Sequence, residues 1–254
     1  MSGEPISIAW SADGTQLAVA SLGSSGTGGS IQLVSWPSLD THEVSSGEHI
    51  QADFGGVGIG TDGTVFWLAE SGPTSHIQQS KAGQISDYIA LPDADYLSLQ
   101  SADDGLYLWH EQDSGGAGVT AFRNGSAGTA DAEAVFATDK YFPEYWVSQD
   151  GAWFVAAISD EVAGPSRFEV MHAGSTTEVL PDAHLSGPPS MTPDHTKVVF
   201  PDHDVGDISA VAVGGGPRTT LLDADAAVAE ISSNNVLAYL PLAMHGSTVC
   251  FHQL

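Results

Sequence analysis

The chain has 254 residues, a single cysteine (Cys250), and 32 Asp plus Glu against 6 Lys plus Arg, for a formal net charge of −26 at pH 7. One cysteine excludes an internal disulfide, and a chain of this length buries a core that needs no such staple. The charge excludes anionic partners such as nucleic acid or acidic lipid surfaces, and no apolar run approaches the roughly 20 residues that cross a bilayer.

Only 15% of the residues are charged, so the imbalance is a near absence of base more than an excess of acid. Such a surface suits a chain from a salt-loving organism and attracts cations or a basic partner. The opening segment MSGEPISIAW has neither the basic stretch nor the apolar stretch of a leader, so a cytoplasmic location is favoured, with an exported or virion-associated one as the alternatives.

The first predicted hairpin lies at SADGTQLAVA (11–20), where an Asp-Gly turn feeds a run of small and β-branched residues. The pattern returns as GTDGTVFWLA, SADDGLYLWH, SQDGAWFVAA, TPDHTKVVFP and SSNNVLAYLP. Its turn residues are Asp13, Asp62, Asp104, Asp150, Asp194 and Asn234, spaced 49, 42, 46, 44 and 40 apart. A period in this range is the mark of propeller blades. Short strands such as ISIAW, YLSLQ and EYWVS precede the turns. Third strands follow as SIQLVSW, GVTAFRNG, SRFEVMHAG, ISAVAVGG and STVCFHQL, and fourth strands as QISDYIALP, TTEVLP and RTTLL. No helical period of useful length competes.

The expected fold is all-β: a six-bladed β-propeller of four-stranded antiparallel blades, over 6–47, 51–92, 96–138, 142–181, 186–222 and 226–254 of one domain. The sixth unit stops at its third strand. That blade is expected either to have three strands or to be completed by a very short strand from residues 1–5.

WSADGTQLAVAS and MTPDHTKVVF resemble the TolB-type WD40-like (PD40) repeat, whose hallmark is a Ser-Pro-Asp-Gly turn entering the second strand. The resemblance covers nearly the whole chain in degenerate copies. The motif's proline survives only as Pro193, and no Trp-Asp dipeptide ends a unit. The resemblance implies that the Asp turns lie at one end of the blades. The second-to-third-strand loops and the inter-blade loops would then share the other end.

At that other end, LPDAD, LPDAH and LLDAD place Asp93, Asp182 and Asp223 at equivalent points, where the turn-forming habit of Asp accounts for them. A second set follows the second strands: Glu70, His110 with Glu111, Asp160 with Glu161, the run Asp202, His203 and Asp204, and His245. Carboxylates and neutral imidazoles at one depth suit a divalent cation, with His110, His203 and His245 as candidate ligands. In that reading the protein is a metal-dependent lyase or hydrolase with Glu70 or Glu161 as base and its site at the channel mouth. The chain lacks His-x-x-x-His and Cys-x-x-Cys spacings and a Gly-x-Ser-x-Gly elbow, so the leading reading is non-catalytic. It is a protein-interaction scaffold that offers Glu70, Glu111, Asp160, Glu161, Asp202 and Asp204 to a protein or peptide partner, with Tyr141 and Trp146 as aromatic anchors. A third reading makes it a structural subunit of a larger virion or cell-surface assembly. Trp67 and Trp109 share one phase after their turns, which predicts packing between blades.

Overall fold

The computed structural model describes residues 4–23, 28–47, 56–71, 74–91, 96–111, 117–123, 132–161, 164–242 and 248–254, with backbone alone at 70–71, 74, 96–97, 111, 141–143 and 180–182. Every regular element among them is a strand, and no helix long and apolar enough to cross a membrane occurs among the described residues. The chain divides into two compact units, Met1–Ala137 with Gly246–Thr248, and Thr138–His245 with Val249–Leu254.

The first unit carries three sheets, each an antiparallel meander in chain order. Blade 1 is β1 (Glu4–Trp10), β2 (Gln16–Leu22), β3 (Gly29–Ser35) and β4 (Thr41–Ser46). Blade 2 is β5 (Val57–Ile59), β6 (Val65–Ser71), β7 (Thr74–Lys81) and β8 (Gln84–Ala90). Blade 3 is β9 (Tyr96–Ala102), β10 (Gly105–Glu111), β11 (Ala117–Arg123) and β12 (Ala132–Thr138), the last ending at the unit border.

The second unit repeats the scheme. Blade 4 is β13 (Tyr141–Val147), β14 (Trp153–Ser159), β15 (Ser166–His172) and β16 (Ser175–Ala183). Blade 5 is β17 (Ser190–Met191), β18 (Lys197–Asp202), β19 (Asp207–Ala212) and β20 (Thr219–Leu222). Blade 6 has three strands, β21 (Ala226–Ile231), β22 (Val236–Pro241) and β23 (Cys250–Gln253). Glu4 and Pro5 pair with Leu22 and Ser21 inside blade 1, while β23 pairs with β22, so among the described residues the last blade has three strands. Six such meanders make a six-bladed β-propeller.

The core lies between neighbouring sheets of each unit. Successive strand residues point to opposite faces, so a strand buried on both faces reads as an unbroken apolar run. β6 does this: Val65, Trp67 and Ala69 turn to Ala18, Ala20 and Ile31 of blade 1. Phe66 and Leu68 turn the other way, to Leu99, Leu106 and Leu108 of blade 3. Trp67 is fully buried in this packing, as its phase predicted. In the second unit, Val155, Ala157, Phe168 and Val170 meet Met191, Val198 and Phe200. Each fully buried Leu, Val or Phe contributes about 1.5–3 kcal/mol.

The innermost strands approach closely where side chains are small. A Cβ added to Gly58 would lie 2.7 Å from the Cβ of Ser101, whose hydroxyl donates to the Ile59 carbonyl at 3.0 Å. The second unit uses the same device: a Cβ on Gly187 would collide with the Ala227 carbonyl, and the Ser186 hydroxyl donates to the Ala226 carbonyl at 2.7 Å.

Candidate functional site

The acidic set falls at the ends of the second strands. Glu70 is the last residue but one of β6, Glu111 ends β10 and Tyr141 opens β13, but their side chains lie outside the described residues. So do His245, Asp93 and the side chain of Asp182, whereas Asp223 is exposed.

In blade 4, exposed Asp160 receives Lys140 Nζ at 3.3 Å and Arg167 Nη1 at 3.2 Å. These donors, Lys140 first, hold its carboxyl below the usual carboxylate range. Arg167 also stands 3.7 Å from Glu169 and 3.4 Å from Glu178. Glu161 is exposed, and its carbonyl accepts the Ser159 hydroxyl at 2.7 Å.

In blade 5, Asp202 is buried, with Arg218 Nη1 2.9 Å from its Oδ2 as an ion pair without aligned hydrogen-bond geometry. Its other oxygen accepts the Asp204 N–H at 3.1 Å. Asp202 therefore anchors its own hairpin and does not face outwards. Asp204 is exposed; it accepts the His184 N–H at 3.1 Å and lies 2.7 Å from His184 Nδ1. Those bonds, the backbone one first, keep Asp204 below the usual carboxylate range.

Of the three histidine candidates, His245 lies outside the described residues. His203 is exposed in blade 5, and His110 is half-buried in blade 3 with Nε2 3.0 Å from Thr120 Oγ1. Among the described residues no three His, Cys, Asp or Glu side chains are placed to share a metal ion.

The opposite end carries the repeated turns. In blade 1, Asp13 Oδ1 accepts the Thr15 N–H at 3.0 Å, the Thr15 hydroxyl at 2.7 Å and the Ser11 hydroxyl at 2.7 Å. Ser11 Oγ in turn accepts the Gln16 N–H at 2.9 Å. Blade 5 repeats this with Thr192, Asp194, Thr196 and Lys197, and the bonds lower the Asp194 carboxyl to about 2. Blade 4 uses Ser148, Asp150 and Ala152. Such Asx turns satisfy backbone donors locally.

Blade 3 departs from the expected pattern. Ala102 pairs directly with Gly105, so Asp103 and Asp104 form a two-residue turn. Asp104 serves Arg123 and the Tyr107 hydroxyl instead of its own backbone. The stretch SADDGLYLWH is therefore a different, tighter hairpin.

Between the turns of blades 4 and 5 lies a cluster that sequence reading missed except for Trp146. Trp153 opens β14 directly opposite His172, the last residue of β15. Their rings stack at 3.9 Å and 6°. His172 Nδ1 lies 3.1 Å from the Ala152 carbonyl. His195 leans on the same indole at 5.0 Å and on Trp146 at 6.4 Å. Burial is the main cause that lowers His195 below its ordinary value; Asp150 and Asp194 oppose the shift and His172 adds to it.

No family model matches the chain, and no curated protein matches it by sequence. Solved structures do match. TolB from Acinetobacter baumannii superposes with a TM-score of 0.65 at 14% identity, over 83% of this chain and 52% of TolB, so this chain spans about half of TolB's length. Hydrazine synthase from Kuenenia stuttgartiensis has a TM-score of 0.62 at 11% identity, over 98% of this chain and 95% of the other. A β-propeller domain from Myceliophteria thermophila has a TM-score of 0.62 at 8% identity, over 100% and 98%. At such identities the likeness establishes the fold, a β-propeller, and not an activity.

Proposed function

We propose that this propeller is a non-catalytic protein-interaction module of the TolB-like, WD40-like kind. Its second-to-third-strand ends, with Glu70, Glu111, Asp160, Glu161 and Asp204, meet a basic segment of a protein partner.

One observation carries the reading. Among the described residues, five of the six Lys and Arg side chains already sit within 3.3 Å of a carboxylate oxygen of the same chain. The large acid excess is thus left to be answered from outside, by salt ions or by a basic partner. Asp160 and Asp204, kept ionised and oriented by their internal pairs, are fixed points on that surface.

The test is titration of a lysine-rich peptide against the wild type and a variant combining Glu70→Gln, Glu111→Gln and Glu161→Gln. Weakening of roughly tenfold supports the reading, and equal affinity of the two proteins overturns it.

A further inference from the structure

In blade 2 the turn carboxylate Asp62 uses Oδ1 for the Thr64 N–H at 3.0 Å and Oδ2 for the Lys81 ammonium at 2.7 Å. Lys81 is the last residue before the turn Ala82-Gly83, whose φ angles are 51° and 76°. Blade 4 closes its third strand through the same turn, Ala173-Gly174, with φ of 50° and 74°, and His172 holds Lys81's place before it; counted from the Asp turns the two lie one register step apart, since Val65 pairs with Ser80 and Trp153 with His172. Both residues share a sheet face with a residue buried towards the following blade, Ile77 in one case and Val170 in the other.

The exchange of lysine for histidine changes what the turn offers. Asp150 engages its own turn through Oδ1, which accepts the Ser148 hydroxyl and the Ala152 N–H. Neither bond uses Oδ2, and no Lys or Arg among the described residues is paired with Asp150. His172 lies flat on Trp153 instead of reaching the carboxylate, and the imidazole is exposed. The second imidazole is held there at a conformational cost. His195 has φ of 54°, in the left-handed region where blades 1 and 4 use Gly14 and Gly151.

We infer that this end of blades 4 and 5 binds an arginine side chain of a partner protein, its guanidinium stacked on the His172–Trp153 pair and hydrogen-bonded to Asp150. Charge complementarity selects the occupant. Asp150 and Asp194 are both held ionised by their turn bonds, and blade 2 already places a cation on the equivalent oxygen. A planar guanidinium both stacks on rings and pairs with a carboxylate, which an ammonium does less well. The groups facing His195 are Asp150, Asp194, His172, Trp146 and Trp153. Burial keeps that imidazole neutral near neutral pH, so it does not repel the guest; in acid its protonated form does. This surface is at the opposite end of the strands from the one proposed above and does not depend on it.

The experiment uses the whole chain with acetyl-Gly-Arg-Gly-amide as probe, followed by tryptophan fluorescence and NMR at low salt. Saturable binding is expected near neutral pH, weakened about fivefold or more by Asp150→Asn or Trp153→Leu, and weaker with the lysine analogue. His172→Lys, which installs blade 2's internal cation at an exposed position, is expected to abolish binding while the fold persists. Asp13→Asn, in a like turn without the rings, is expected to leave binding intact. Binding to the His172→Lys protein at wild-type strength, or equal losses from Asp13→Asn and Asp150→Asn, overturns the inference.

Discussion

Blades 2 and 4 leave the third strand by the same Ala-Gly turn, while their Asp-Gly turns into the second strand differ by one residue, closing Gly60 on Thr64 in blade 2 and Ser148 on Trp153 in blade 4. In blade 2 the residue before Ala-Gly is Lys81, and the end is closed by its ion pair with Asp62. In blade 4 it is His172, and the end is an open platform of stacked rings beside an ionised carboxylate. The Ala-Gly turn itself is indifferent to this exchange. Residues that repeat serve the chain's own turns, and residues that break the repeat set what each blade presents.

The largest effect separating the two blades is expected from Trp153→Ala. The half-buried indole packs on the core between blades 4 and 5, so its loss is expected to cost about 2 kcal/mol. Thr64→Ala in the blade 2 turn removes mainly a hydrogen bond to Asp62 and is expected to cost about 1 kcal/mol. Urea denaturation of the two variants checks the order.

Next comes pH. Asp62 and Asp194, at about 2 against an ordinary 3.8, bind fewer protons folded than unfolded. Their contribution is full above 3.8 and is lost as pH falls through about 2. Lys81 is raised above 10.5 by Asp62, so its contribution is full below 10.5 and is lost as pH rises through the folded value. His195 is lowered from 6.5, so its contribution is present above 6.5 and is lost as pH falls through the folded value. Blade 2 is thus sensitive at the acid and alkaline extremes, while the junction of blades 4 and 5 also weakens in mild acid. His195→Gly, which suits the left-handed backbone, is expected to remove the mildly acid step from a series of thermal melts.

The smallest effect is expected from Lys81→His, which gives blade 2 the residue of blade 4. It is expected to release the Asp62 carboxyl from about 2 towards 3.8, read by NMR titration, with little change in melting temperature. An Asp62 carboxyl that stays low assigns the shift to Thr64 alone.

The blades were legible in the sequence because Asx turns are local: Ser11, Asp13 and Thr15 make their bonds within a few residues. Blade 3 misled for the same reason, since Asp103-Asp104-Gly105 has turn composition whatever hairpin it closes, and Asp104's partner Arg123 lies far along the chain. The burial of Asp202 was hidden likewise, because Arg218 reaches it across the sheet. The ring cluster left no local signal, as Trp153, His172 and His195 meet only once strand register and blade packing are set.

Cys250 is the chain's single thiol, half-exposed on β23 and opposite Tyr239. A maleimide dye or nitroxide therefore attaches at one defined place without removing any native residue. The molecule comes with its own labelling handle, in the blade that stops at three strands.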